Sequence, residues 1–226
     1  MGVAAGVSFI VSLPSLRLHE DYFVIATFGF QMILFSVFNN WMEVTRGPLG
    51  IPGIPQPAIC GWKVDSQWKF LVLATLFAAF AYSVVWLVTT SPFGRVLHAI
   101  REDECFAKAL GKNTLYFKVT TFAVSASLAA MAGSMYAHYI SYIDPTSFTV
   151  MESILIISMV IIGGAGSSCG PLVGAVVLVT LPEAVRFVGL PSAVAANLRQ
   201  IIYGGLLVVM MMFRPRGLVG KYGFSK

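Results

Sequence analysis

The chain has 226 residues, of which 57% are hydrophobic and only 11% charged, with a net charge of +5. Soluble domains carry roughly a quarter charged residues, so this composition excludes water as the main solvent. The basic residues cluster in short segments, which suits membrane orientation and not a nucleic-acid partner.

A bilayer core of about 30 Å needs about 20 apolar residues of helix. In chain order this predicts spans at Met1–Leu16, Tyr22–Phe38, Phe70–Thr89, Phe117–Ile140, Phe148–Ile162, Pro171–Val185 and Leu198–Phe213. The fold class is therefore an all-α membrane protein of about seven transmembrane helices. Met1 to Leu13 has no preceding basic stretch and no cleavage site, so it does not read as a cleaved signal peptide. The pair over 148–185 is short, which fits either two tilted crossings or a re-entrant hairpin. No span alternates with the period of two that a membrane barrel requires.

Seven crossings set a parity that charge tests. Arg17, the loop Ser91–Lys118 (Arg95, Arg101, Lys108, Lys112, Lys118) and the tail 214–226 (Arg214, Arg216, Lys221, Lys226) fall on one side. Arg46, Lys63, Lys69, Arg186 and Arg199 fall on the other. Ten against five makes the first side cytoplasmic and puts the amino terminus outside. Glu152, Glu183 and His138 lie near outer ends of spans, and no Asp, Glu, Lys or Arg lies mid-span. Ion-coupled carriers usually need such residues.

Thr45 to Pro55, in the long outer loop, holds three prolines and three glycines, which forbids regular helix or a central strand. Such a rigid apolar loop suits a solvated connection, contact with a solute-delivering protein, or a gate. In the loop Ser91–Lys118, Ser91-Pro92 is a helix start and Gly111 a stop. Phe93, Val96, Leu97, Ile100, Ala107 and Leu110 follow helical spacing, and Glu104 precedes Lys108 at i,i+4. Two readings stay open here, an amphipathic surface helix and a docking helix for a cytoplasmic partner. A docked helix would present Ile100 and Leu110 to a groove, with Arg101, Glu102 and Asp103 fixing register through rim charges.

Ser125, Ala129, Gly133 and Ala137 form a small-residue stripe, with Gly133 expected to face a neighbouring helix. Gly163, Gly164, Gly166 and Gly170, in the turn ending at Pro171, predict a tight hairpin, with close helix contact continuing to Gly174. The turn lacks the Lys-Ser/Thr of a phosphate loop. Cys60, Cys105 and Cys169 share no metal or disulfide spacing. No paired carboxylates, no nucleophile with a base and no His/Cys cluster is visible, so nothing argues for an enzyme, a metal or a cofactor.

These segments together resemble the LivM-type permease of branched-chain amino acid ABC importers. The matching residues are Ser91-Pro-Phe-Gly-Arg95, Ala99-Ile-Arg-Glu-Asp-Glu104 and Ala109-Leu-Gly111. Gly163–Pro171, Arg17-Leu18 through Asp21-Tyr22, Gly50–Pro55 and Phe213-Arg-Pro-Arg-Gly-Leu218 also match. The resemblance covers nearly the whole chain and implies a single permease domain, 1–226, in a bacterial cytoplasmic (inner) membrane. It implies that residues about 94–111 contact an ATPase, with Gly94, Arg95, Ile100, Arg101, Glu102, Asp103, Ala107, Leu110 and Gly111 as coupling positions. It also implies two ATP-hydrolysing subunits, a second related permease and an extracytoplasmic solute-binding protein. Family members begin with further helices, so those first helices are expected to be missing here. Thr45-Arg46-Gly47-Pro48 departs from the family, which usually has a second glycine and a polar residue there, so urea or short amides stand beside branched-chain amino acids as cargo. An ion-coupled secondary transporter is the third reading, and the missing mid-span charges weigh against it.

Overall fold

A computed structural model describes residues 2–15, 20–59, 62–63, 66–164, 166–186, 203–210, 212–213 and 217–219. The chain packs as two compact units, Met1–Phe148 and Thr149–Lys226.

The first unit holds helices α1 (Gly2–Ser15), α2 (Glu20–Asn40), α3 (Gln67–Thr90), α4 (Pro92–Glu102), α5 (Glu104–Ala109) and α6 (Thr114–Ile140). Helix α1 packs along α6. Ser8 and Ser12, one turn apart on α1, are buried there, and their hydroxyls donate to the Ala5 and Phe9 carbonyls at 2.7 and 3.3 Å. Small residues whose polar groups bond to their own helix let backbones approach without leaving a donor bare. Along α3 no residue is buried at all, although the helix is built from Leu, Val, Phe and Trp. A 24-residue apolar cylinder open on every side is stable in hydrocarbon and not in water.

Among the described residues, four stretches are long and apolar enough to cross a membrane: Tyr22–Asn40, Gln67–Thr90, Thr114–Ile140 and Pro145–Gly163. Of the seven expected spans, two more appear as shorter apolar helices, Gly2–Ser12 and Gly170–Thr180. The seventh, 198–213, is described only as helix at 203–210 and at 212–213. Arg17, Arg199 and the basic residues of the tail lie outside the described residues.

Exposed aromatic side chains mark both ends of the first unit. Trp41, Trp68 and Tyr139 stand at one end of α2, α3 and α6, and Tyr22, Trp86 and Tyr116 at the other. Trp and Tyr collect where hydrocarbon meets headgroups. Trp68 and Trp86 are separated by about 27 Å of helix at about 1.5 Å per residue, close to the hydrocarbon thickness of about 30 Å. Helices α4 and α5 therefore lie just past one aromatic ring, outside the apolar layer.

At the opposite end the proline-rich loop is a strap. After a 3₁₀ turn at Gly47–Leu49, strand β1 (Ile51–Pro52) pairs antiparallel with β4 (Tyr142–Ile143), Ile51 opposite Ile143. Strands β2 (Ala58–Ile59) and β3 (Trp62–Lys63) form a separate two-residue hairpin ladder. Pro52 is tolerated because its ladder is only two residues long and at an edge. The Gly53 and Ile54 N–H groups donate to the Ser141 carbonyl, and the Tyr142 hydroxyl donates to the Leu49 carbonyl at 3.2 Å. His138 Nδ1 donates to the Pro55 carbonyl at 2.8 Å, which explains a histidine at the end of an apolar helix.

The second unit is a hairpin of α7 (Val150–Gly163) and α8 (Gly170–Arg186) around fully buried Ile162 and Leu178. Its closeness comes from glycine. A Cβ on Gly163 would overlap the Gly170 carbonyl, and one on Gly174 would overlap the Met159 carbonyl and lie 2.9 Å from the Gly163 nitrogen. Gly164 turns at φ +115°, while Gly166 is exposed in the turn. Residues 217–219 return to this hairpin: the Leu218 and Val219 N–H groups donate to the Ile162 and Gly163 carbonyls at 2.9 and 3.0 Å. These are last-turn carbonyls that α7 cannot satisfy itself. Gly133 differs from expectation, for a Cβ there meets nothing among the described residues. Gly163, Gly170 and Gly174 make tight glycine contacts in the hairpin, where the short α7–α8 connection brings two backbones together.

Candidate functional site

The segment beyond the aromatic ring is an elbow built from local rules. Ser91 Oγ accepts the Gly94 N–H at 3.3 Å, and Pro92 occupies the first position of α4, where its missing N–H costs nothing. Gly94 is buried against the last turn of α3, where a Cβ would fall 2.6 Å from the Val88 carbonyl oxygen. That closeness folds α4 back against the end of a span. The Phe93 and Phe117 rings, with centroids 4.9 Å apart, tie α4 to α6.

One continuous helix from Gly94 to Gly111 is the sequence expectation; the structure has two. Asp103 breaks the helix with an extended backbone and caps the next one, its Oδ1 accepting the Phe106 N–H at 2.9 Å. Gly111, at φ +75°, ends the elbow, and the Asn113 side chain caps α6. Ala107 is buried.

The sequence expectation turns Ile100 to a partner; in the structure it is only 9% exposed, packed within this chain. The large apolar groups on offer are Phe106 and Leu110, each 61% exposed, with Arg95, Arg101, Glu102, Asp103 and Lys108 exposed around them. Phe106 was passed over because it falls outside the α4 periodicity that breaks at Asp103.

Glu104 gathers several partners. Its carboxylate pairs with Lys118 at 2.5 Å and Lys108 at 3.1 Å, and accepts the Thr114 hydroxyl at 3.0 Å. The hydrogen bond from Lys118 above all holds its pKa down, to about 2 from an ordinary 4.5. Because the folded value is the lower one, the carboxylate's contribution is full above about pH 4.5 and is lost as pH falls toward about 2. The clasp is thus intact at every physiological pH. Spacing disclosed the Lys108 partner; Lys118, fourteen residues on, needed the fold.

The elbow contains no reactive constellation, and among the described residues no His/Cys/Asp/Glu group could hold a metal. What the elbow exposes is a pair of large apolar side chains in a segment rich in exposed charge, the composition of a protein–protein contact and not of a small-molecule pocket.

Residues 1–211 match the family described as the permease component of branched-chain amino acid transport systems. The chain belongs to this family. It is 33% identical to the high-affinity branched-chain amino acid transport permease LivM of Salmonella typhimurium and 32% identical to that of Escherichia coli. Each match covers 96% of this chain and 55% of the relative. The probable LivM of Methanocaldococcus jannaschii is 28% identical, over 97% of this chain and 65% of that protein. The autoinducer 2 import permease LsrC of Salmonella paratyphi B is a more distant relative, at 25% identity. No solved structure matches. The chain thus spans about half the length of the first two curated relatives. Family membership and the apolar spans make it a multi-pass membrane protein of a permease family, and the relatives are named as transport permeases.

Proposed function

We propose that this permease is a membrane subunit of an ATP-driven importer that carries branched-chain amino acids across a bacterial cytoplasmic membrane. Its partners are two ATP-hydrolysing subunits, a second related permease and an extracytoplasmic solute-binding protein. The observation that carries this reading is the elbow α4–α5. It lies just past an aromatic ring, in the most basic loop, and offers Phe106 and Leu110 to a partner. The chain has no nucleotide motif of its own, so the energy for import must arrive through such a surface. The two-to-one excess of Lys and Arg on the elbow's side supports a cytoplasmic elbow.

The cargo rests on the relatives' names. The departure at Thr45-Arg46-Gly47-Pro48 has a local structural role: the Thr45 hydroxyl donates to the Trp41 carbonyl at 2.7 Å and accepts the Gly47 N–H at 3.2 Å, which closes the end of α2. This leaves the tetrapeptide a weak argument for urea or amides. Uptake of radiolabelled leucine, urea and acetamide into proteoliposomes bearing the full complex separates the readings. We expect ATP-dependent leucine uptake, competed by isoleucine and valine. ATP-dependent uptake of urea or acetamide with none of leucine would overturn the assignment of cargo.

A further inference from the structure

Helix α5 spans only Glu104–Ala109, six residues, far fewer than the ~12–15 an isolated helix needs to persist in water. Packing of buried Ala107 helps to hold it to the membrane-spanning part of the molecule, and Glu104 supplies the polar link. It reaches across to Thr114, 3% exposed in the first turn of α6, and to Lys118 one turn further along. Helix α6 is the longest among the described residues, 27 residues from the elbow to the strap. The exposed Phe106 and Leu110 lie two and six residues beyond Glu104. Besides the backbone through residues 111–113 and the Phe93–Phe117 ring contact from α4, the Glu104 carboxylate is a direct side-chain link from α5 to α6. The contact of α4 with α3 at Gly94 leads to a different helix.

We infer that the Glu104–Lys118–Thr114 clasp is the positioning element that makes α6 follow the movement of a partner docked on α5. The inference rests on the reading of the elbow as the docking surface. Glu104 touches neither partner nor cargo; it acts by fixing α5 to α6. Losing the clasp therefore leaves the docking side chains present and the partner bound, while the span no longer follows.

The test uses the assembled complex in proteoliposomes, with leucine as probe. Glu104→Gln and Lys118→Met each retain the ATPases through purification and hydrolyse ATP. The leucine imported per ATP falls by about tenfold, the size of effect that coupling between contacting groups produces. The exchange variant, Glu104→Lys with Lys118→Glu, restores most of that ratio, because the pair and not either residue alone sets it; a merely structural defect would instead lose ATPases or hydrolysis in the single variants. Single variants with the parent's import-to-hydrolysis ratio would overturn the inference. A second readout needs no ATPase: the Ala107 and Lys112 amides, which donate to Asp103 and Ala107, exchange hydrogen faster in Glu104→Gln if the clasp holds α5. Unchanged exchange also overturns the inference. A parent complex whose ATPase binds elsewhere sinks the docking surface instead, and the exchange result still decides the clasp.

Discussion

Replacing Phe106 and Leu110 together with Asp is expected to abolish ATP-driven import while leaving the permease folded. Both side chains are 61% exposed, so the chain's own packing loses little. A partner groove that has desolvated them would instead receive two carboxylates. Central interface residues cost about 2 kcal/mol or more each when truncated, and a buried unpaired charge adds to that. Copurification of the ATPases should fall by more than about tenfold, one decade per 1.4 kcal/mol, with monodisperse permease recovered at parental yield. Ile100→Asp is the instructive contrast. It puts a charge into the chain's own packing under α4, so its defect appears as lost permease and says nothing about docking.

The second large effect is expected at Gly174. Its Cβ would occupy the space of the Met159 carbonyl, a backbone atom that cannot rotate away. Overpacking a close-fitting interior costs about 1–3 kcal/mol even where side chains can yield, so Gly174→Val should force α7 and α8 apart. Detergent-solubilised variant should lose folded yield and melt at lower temperature by fluorescence-detected size exclusion. Gly133→Leu is the matched control, because a Cβ there meets nothing within 4 Å among the described residues. If Gly133→Leu melts early and Gly174→Val does not, the glycine contacts described for the hairpin are wrong.

The helical spans were legible because apolar runs of sufficient length have one solution in hydrocarbon, and α2, α3 and α6 lie where those runs fall. Ser91-Pro92 and Gly111 marked the ends of the elbow for the same local reasons that the structure shows. What sequence spacing missed was non-local or broke the period. Asp103 reads as one polar residue among four, yet its side chain ends one helix and starts another. The break rotates the face, which buries Ile100 and exposes Phe106. Lys118 belongs by pattern to the start of a span and by geometry to Glu104. Gly133 sits in a regular small-residue stripe, but a stripe specifies only that close approach is allowed. Whether a partner helix comes is decided by connection length, and the tight turn between α7 and α8 supplies it at Gly163 and Gly174 instead. The strap's link from Pro55 to His138 spans 83 residues, beyond any local rule.

The central claim is that the elbow is where a cytoplasmic ATPase delivers energy to this permease. A photoreactive phenylalanine analogue at position 106, in cells making the whole complex, tests it in one step. Irradiation should yield a single adduct of permease and ATP-hydrolysing subunit, absent when the analogue is moved to lipid-facing Leu76. Cross-links to lipid alone, or to the extracytoplasmic binding protein, would contradict the account.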